Sequence, residues 1–169
     1  MPDRSGDGVP PGTDPDAVAP YIEELLAAHD RVVNRIVADP EVATDREHPL
    51  VREYVELFEP GAPSVELAIS TWEAQARAGT SIQPFSPEHP AFVSRVDGPV
   101  EPVSADEVRF PTCDERRYGV VDAAGELQEL VPDEAVPGRG TAVRTEGEWK
   151  LRRLDVIAGQ QGCGGEGTQ

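Results

Sequence analysis

Between Thr13 and Asp39 the apolar residues Val18, Ile22, Leu25, Leu26, Val32, Val33, Ile36 and Val37 recur every three or four positions, with His29 in the same series. That spacing gathers them into one stripe of an α-helix and leaves Glu23, Glu24, Asp30, Arg31 and Arg35 on the opposite face. Thr13-Asp-Pro-Asp16 is a helix start, combining a capping side chain, a proline in the first turn and acids near the positive end of the dipole. Pro20 falls close enough to that start to be tolerated. The helix must stop before Asp39-Pro40, because a residue preceding proline is pushed out of the helical region. A helix this long with so wide an apolar face needs a large concave partner, and the rest of the chain is read as supplying it.

The C-terminal stretch Thr141–Ile157 is the clearest part of that partner. Two alternating runs flank Glu146-Gly147, the tip of an antiparallel hairpin. Alternation points Trp149, Leu151 and Arg153 one way and Lys150, Arg152, Leu154 and Val156 the other; the Trp149 face is expected to be buried. Upstream, His48-Pro49 opens a helix over Leu50–Phe58, with Leu50, Tyr54, Leu57 and Phe58 inward. Ser64 is expected to cap a third helix through Ala78 that turns Val65, Ala68, Ile69, Trp72 and Ala76 inward and ends at Gly79. Extended runs follow at Ser81–Phe85, Ala91–Val96, Glu107–Cys113, Arg116–Val121 and Leu127–Val131, with a loop from Pro132 to Gly140 before the hairpin. The fold class is α+β: three N-terminal helices packed on a curved antiparallel sheet of four to six strands. Residues 1–14 and 159–169 read as unstructured Pro/Gly-rich tails around a single α+β domain over residues 15–158, since such segments bury too little surface to offset chain entropy.

The formal charge of −17 sets a field that repels phosphate backbones and anionic membranes, and Arg152-Arg153 alternates across a strand without making a basic stripe. Nucleic acid is therefore not an expected partner. No run has the length of a membrane-spanning helix, and the opening residues lack the apolar core of an export signal, which taken literally gives a cytoplasmic protein with free thiols.

Several features in order resemble the nuclear transport factor 2-like, or cystatin-like, superfamily. They are the helix closing on Ala38-Asp39-Pro40, the segment His48-Pro-Leu-Val-Arg-Glu-Tyr54, a strand ending in Thr112-Cys113, Val121-Asp-Ala-Ala-Gly-Glu126, Glu146-Gly-Glu-Trp-Lys-Leu151 and a cysteine near the C-terminus. More narrowly the pattern is similar to uncharacterised exported actinobacterial proteins and lipoproteins of that fold. The resemblance implies a cone-shaped cavity between the first helix and the sheet. It also implies export or a lipid anchor, if translation begins upstream of Met1.

From the residues alone, Cys113 and Cys163 are either a bridge or one buried and one exposed thiol. The resemblance implies the bridge, worth roughly 4 kcal/mol on a chain-entropy model for a loop of this length. In the resembled fold His29 faces the cavity, where it is a candidate acid or base with Asp30, Tyr54 or Trp72 nearby; a hydrogen-bonded core histidine is the commoner circumstance. The candidate pocket is Ile22, Leu26, His29, Val33, Tyr54, Trp72, Phe92, Phe110, Tyr118 and Trp149, although aromatic residues at these spacings are more often simply core. His48 and His89 read as helix-entry and turn residues, and the acidic pairs Asp106-Glu107, Asp114-Glu115 and Asp133-Glu134 as solvated turns. Arg95, Arg109 and Arg117 are expected on strands, facing solvent and pairing with surplus acids. No metal-ligand set, cofactor motif or catalytic signature is recognised.

Three functions fit this reading. The first is a non-catalytic accessory or binding domain of the cell envelope that holds a small apolar ligand or a protein through the cavity or sheet face. The second is a cofactor-independent enzyme resembling polyketide cyclases, ketosteroid isomerases or dehydratases, with His29 as base. The third is an intracellular interaction domain that forms a homodimer.

Overall fold

The computed structural model describes residues 8–157 together with 162 and 163. Three helices come first: α1 Pro15–Ala38, α2 Pro49–Glu56 and α3 Pro63–Ala78, with a short 3₁₀ turn at Pro40–Thr44 after α1. Asp14 caps α1 by accepting the Ala17 N–H, and Val18, Ile22, Leu26, Val32, Ile36 and Val37 are its buried face. His48 Nδ1 accepts the Leu50 N–H at the start of α2, where Val51 and Tyr54 are the buried residues and Leu50 is only partly covered. Ser64 does not cap α3; the helix starts one residue earlier behind Ala62, without a side-chain cap, because Pro63 needs no N–H partner in the first turn. Gly79 ends α3 in the left-handed conformation at φ 70°, as expected of a glycine after the last turn.

Six strands follow: β1 Ser81–Pro84, β2 Phe92–Val96, β3 Glu101–Ser104, β4 Glu107–Val121, β5 Leu127–Thr145 and β6 Glu148–Val156. All pair antiparallel around β4. The three short strands tile one edge of β4, β3 against its start, β2 against Thr112–Arg116 and β1 against Tyr118–Val121. On the other edge β5 pairs with β4 from Glu107↔Val143 to Val121↔Leu127, and β6 pairs with β5. The two runs expected on either side of Cys113 are thus one continuous strand, and β3 was not anticipated.

The expected loop at Pro132–Gly140 is strand. Each breaker in it has a place where a ladder tolerates it. Pro132 lies in a bulge, between the pairs Arg116↔Glu134 and Tyr118↔Val131. Pro137 sits where β6 runs out, its carbonyl accepting the Ile157 N–H at 2.9 Å. Gly138 and Gly140 give way to side chains of β4. A Cβ on Gly140 would overlap the Phe110 ring, and one on Gly138 would come within 2.6 Å of Thr112 Oγ1.

The turn at Glu146-Gly147 has both residues at positive φ, 52° and 79°, the geometry that matches the twist of a two-residue hairpin. Trp149 and Leu151 are buried as expected, but Arg153 is not. The register slips between Thr141↔Arg153 and Ala142↔Leu151, so Arg152 is an extra residue and Leu154 swings to the core side in place of Arg153. The outer edge of β6 is stitched to the end of α2 by Leu151 N–H to the Leu57 carbonyl and Glu59 N–H to the Leu151 carbonyl, both 2.8 Å.

Part of the segment read as an N-terminal tail is fixed to the body. Gly12 N–H donates to the Ala105 carbonyl at 2.7 Å, Trp149 Nε1 to the Pro10 carbonyl and Arg144 to the Val9 carbonyl. A buried indole N–H needs an acceptor, and a Pro-rich extended segment offers carbonyls with few competing donors. Of the C-terminal tail, residues 159–161 and 164–169 lie outside the described residues. Cys163 is joined to Cys113 by a disulfide closing a separation of 50 residues, and Gly162 N–H donates to the Ala135 carbonyl at 3.1 Å.

Two outcomes follow for unfolding in urea. Gly140→Ala is expected to lower stability by about 1–3 kcal/mol through overpacking against Phe110. Cys163→Ser is expected to cost about 2–4 kcal/mol by opening the long loop. The wild-type chain should be sensitive to reductant and the serine variant insensitive.

Candidate functional site

The concave face of the sheet and the helices over it form a half-open cavity of about 390 Å³, with the exposed Leu67 at its rim. Its helical wall carries Leu26 and His29 of α1, Tyr54 of α2, Phe58 just beyond it, and Ala68, Thr71 and Trp72 of α3. The sheet wall carries Ser94 of β2, Thr112 and Asp114 of β4, and the end of β6 from Leu154 to Val156. The bulge in β6 is what brings Leu154 to this wall. The helical side is mostly aromatic and aliphatic, with ring centroids at 4.8 Å for Tyr54 and Trp72 and 5.1 Å for Tyr54 and Phe58. The sheet side is polar along β2 and β4 and mixed at the end of β6.

The polar wall is built by register. Ser94 stands opposite Asp114, and Val96 opposite Thr112. The free edge of β2 meets α1 instead of another strand. Asp30 Oδ2 accepts the Ser94 N–H at 2.6 Å, and the Asn34 amide both donates to the Phe92 carbonyl and accepts its N–H, each at 2.9 Å. Residues 30 and 34 lie one turn apart on α1, so two side chains at helical spacing satisfy backbone groups that an additional strand would otherwise take. His29 is held beside this clamp, its Nδ1 3.6 Å from Asp30 Oδ1 and its ring 5.6 Å from Tyr54. That nitrogen is buried without a hydrogen-bond partner.

Asp114 is the carboxylate the cavity presents. Burial raises its pKa above the ordinary aspartate value; a hydrogen bond from Ser94 and the Arg116 guanidinium pull it back, and nearby Asp30 pushes it up further. Arg116 Nη2 lies 3.8 Å from Asp114 Oδ2, too far for a hydrogen bond. Burial likewise pushes the Tyr54 phenol well above its usual value, so it is a neutral hydroxyl throughout the ordinary pH range. Asp155 borders the cavity, but its carboxylate pairs with Arg153 Nε at 2.5 Å.

Of the ten residues expected around a pocket, Leu26, His29, Tyr54 and Trp72 line this cavity. Ile22 and Phe110 are sealed in the core, and Val33 packs against it. Phe92 and Tyr118 pair with each other, ring centroids 5.0 Å apart, while Trp149 lies with Val9, Tyr21 and Leu25 beside the N-terminal segment. The expectation that Asp114-Glu115 is a solvated turn fails, since both residues lie on β4. The signal for Asp114 was present: Val108, Phe110 and Thr112 alternate inward, and the same alternation carried one step further reaches Asp114. Asp133-Glu134 also lies on a strand, β5, and only Asp106 of its pair is in a turn.

A second depression of about 410 Å³ lies among Val93, Glu115, Arg117, Asp133 and Ala135. Its charges are matched to one another or to neighbours, Arg117 to Asp133 at 3.5 Å and Arg95 to Glu115 at 3.8 Å. The cavity beneath α1 is the better candidate because it sets aromatic side chains against a largely buried carboxylate.

No protein-family model matches the chain, and neither does any curated protein. Solved structures do. The intermembrane-space region of the chloroplast protein ARC6 superposes with a TM-score of 0.61 at 10% identity, over 83% of this chain and 96% of that one. A ketosteroid isomerase-like protein from Erwinia carotovora atroseptica matches at TM-score 0.48 and 15% identity, over 83% and 96% of the two chains. A Nostoc punctiforme protein with a cystatin-like fold matches at TM-score 0.39 and 15% identity, over 82% and 90%. The chain shares the fold of the ARC6 region, three helices closing a curled antiparallel sheet. At these identities the likeness speaks to the fold and leaves activity open.

The raised pKa of Asp114 has a consequence for stability. Between the ordinary aspartate value and the raised one, the folded chain binds more protons at this group than the unfolded chain, so its contribution to stability falls as pH rises through that window. Asp114→Asn is therefore expected to be more stable than wild type at neutral pH, with the difference closing below the ordinary carboxylate range. Thermal melts of both chains across pH check this; a gap that widens toward acid would contradict it.

Proposed function

We propose that this protein is a non-catalytic binding domain that holds a small ligand in the cavity beneath α1 and acts in an oxidising compartment such as the cell envelope. The observation that carries the reading is the two-sided wall: Tyr54, Phe58 and Trp72 on one side, Ser94, Thr112 and Asp114 on the other. Its volume of about 390 Å³ falls in the range of small-molecule sites, about 300–1,000 Å³. Such a wall suits a molecule with an apolar body and one polar end. Binding is favoured over catalysis because the acid–base pair expected from the sequence is engaged otherwise. Asp30 is committed to the β2 backbone, and His29 Nδ1 is buried 3.6 Å from Asp30 Oδ1 without a hydrogen bond. The Cys113–Cys163 bridge supports the compartment, since such bridges persist where thiols are not kept reduced.

The test is titration with N-phenyl-1-naphthylamine, a neutral apolar probe whose fluorescence rises out of water. Saturable binding at one site per chain is expected. Ala68→Trp, which places an indole in the cavity, should weaken it by about tenfold or more without loss of fold. Absence of binding, or equal binding by the variant, would sink the reading.

A further inference from the structure

Taking the cavity as a ligand site, we propose that its ligand is a small organic cation: an ammonium or protonated amine on an apolar body, its charged head held at Asp114. Among the described residues, the cavity lining contains no lysine and no arginine. Two aspartates border it, but the Asp155 carboxylate is paired with Arg153. That leaves Asp114 as the lining carboxylate without a hydrogen-bonded cation. Arg116 stays at 3.8 Å and outside the lining, so the carboxylate keeps accepting capacity toward the cavity.

The three ligand classes then separate. An anionic head would meet a carboxylate and no cation on the lining. A neutral apolar molecule can fill the space, but it strips water from Asp114 and returns nothing, so it binds more weakly than a cation of the same shape. A cation replaces that water with a charge-assisted contact. Its flanks would meet the rings of Tyr54, Phe58 and Trp72, whose quadrupoles attract ammonium groups. The net charge of −17 acts in the same direction by concentrating cations near the surface. A cavity of about 390 Å³ limits the ligand to a small molecule.

The inference depends on the binding reading, and one experiment separates the two. Bound N-phenyl-1-naphthylamine is displaced by trimethyl(2-phenylethyl)ammonium or by 3,3-dimethyl-1-phenylbutane, its uncharged carbon isostere. In the wild-type chain the cation is expected to displace at a concentration about tenfold or more below the isostere. In Asp114→Asn, with folding checked by a cooperative thermal melt and both compounds titrated directly by calorimetry, the cation's advantage over the isostere should disappear. Displacement in which the isostere equals or beats the cation in the wild-type chain would overturn the cation assignment and leave the cavity reading standing, as would an advantage that survives Asp114→Asn. Failure of the naphthylamine to bind the wild-type chain would overturn both.

Discussion

Strand β2 is five residues long and has only one strand neighbour, so half of its backbone groups would be left unpaired where the sheet curls toward the helices. Asp30 and Asn34 supply the missing partners from α1. This substitution fixes more than an edge. It sets the depth at which α1 lies in the sheet, and with it the height of the cavity between Leu26 and His29 above and Thr112 and Asp114 below. It also uses up the carboxylate that a sequence reader would assign to chemistry beside His29. An open sheet edge is a hazard in water; here a helix covers it and a cavity forms alongside.

The floor of that cavity depends on what is missing from β5. Phe110 and Thr112 lean across onto Gly140 and Gly138, and a larger residue at 138 would crowd both the Asp155 carbonyl and Thr112, which lines the cavity. The opposite end of the molecule is closed differently, by Trp149, Arg144 and the Val9-Pro10 carbonyls. An apolar core and a half-open polar-floored space therefore sit side by side under one helix. The core runs through Ile22, Ile36, Val108 and Leu151, all fully buried.

Much of the fold could be read from the chain. The α1 stripe, its stop at Asp39-Pro40, the αL glycine after α3 and the turn at Glu146-Gly147 are local features, and local physics places them. Apart from the cap of α3, the misreadings involve partners far away in sequence. Pro132, Pro137, Gly138 and Gly140 look like a loop until β4 and β6 explain what each accommodates. The alternation in β6 mispredicts Arg153 because the bulge at Arg152 is a property of the pair, not of the strand. For the site, the helical contributors Leu26, His29, Tyr54 and Trp72 were accessible from periodicity. Asp114 could have been reached by carrying the β4 alternation past Thr112, whereas Ser94 could not, because only the β2–β4 register sets it opposite Asp114.

Cys113 lies between Thr112 and Asp114, and alternation turns its sulfur to the back of the sheet while theirs turn to the front. The covalent anchor of the C-terminal segment and the polar floor of the cavity therefore share two adjoining peptide planes. Whatever is bonded to the rear of this strand is therefore attached at the residue between two members of the cavity floor.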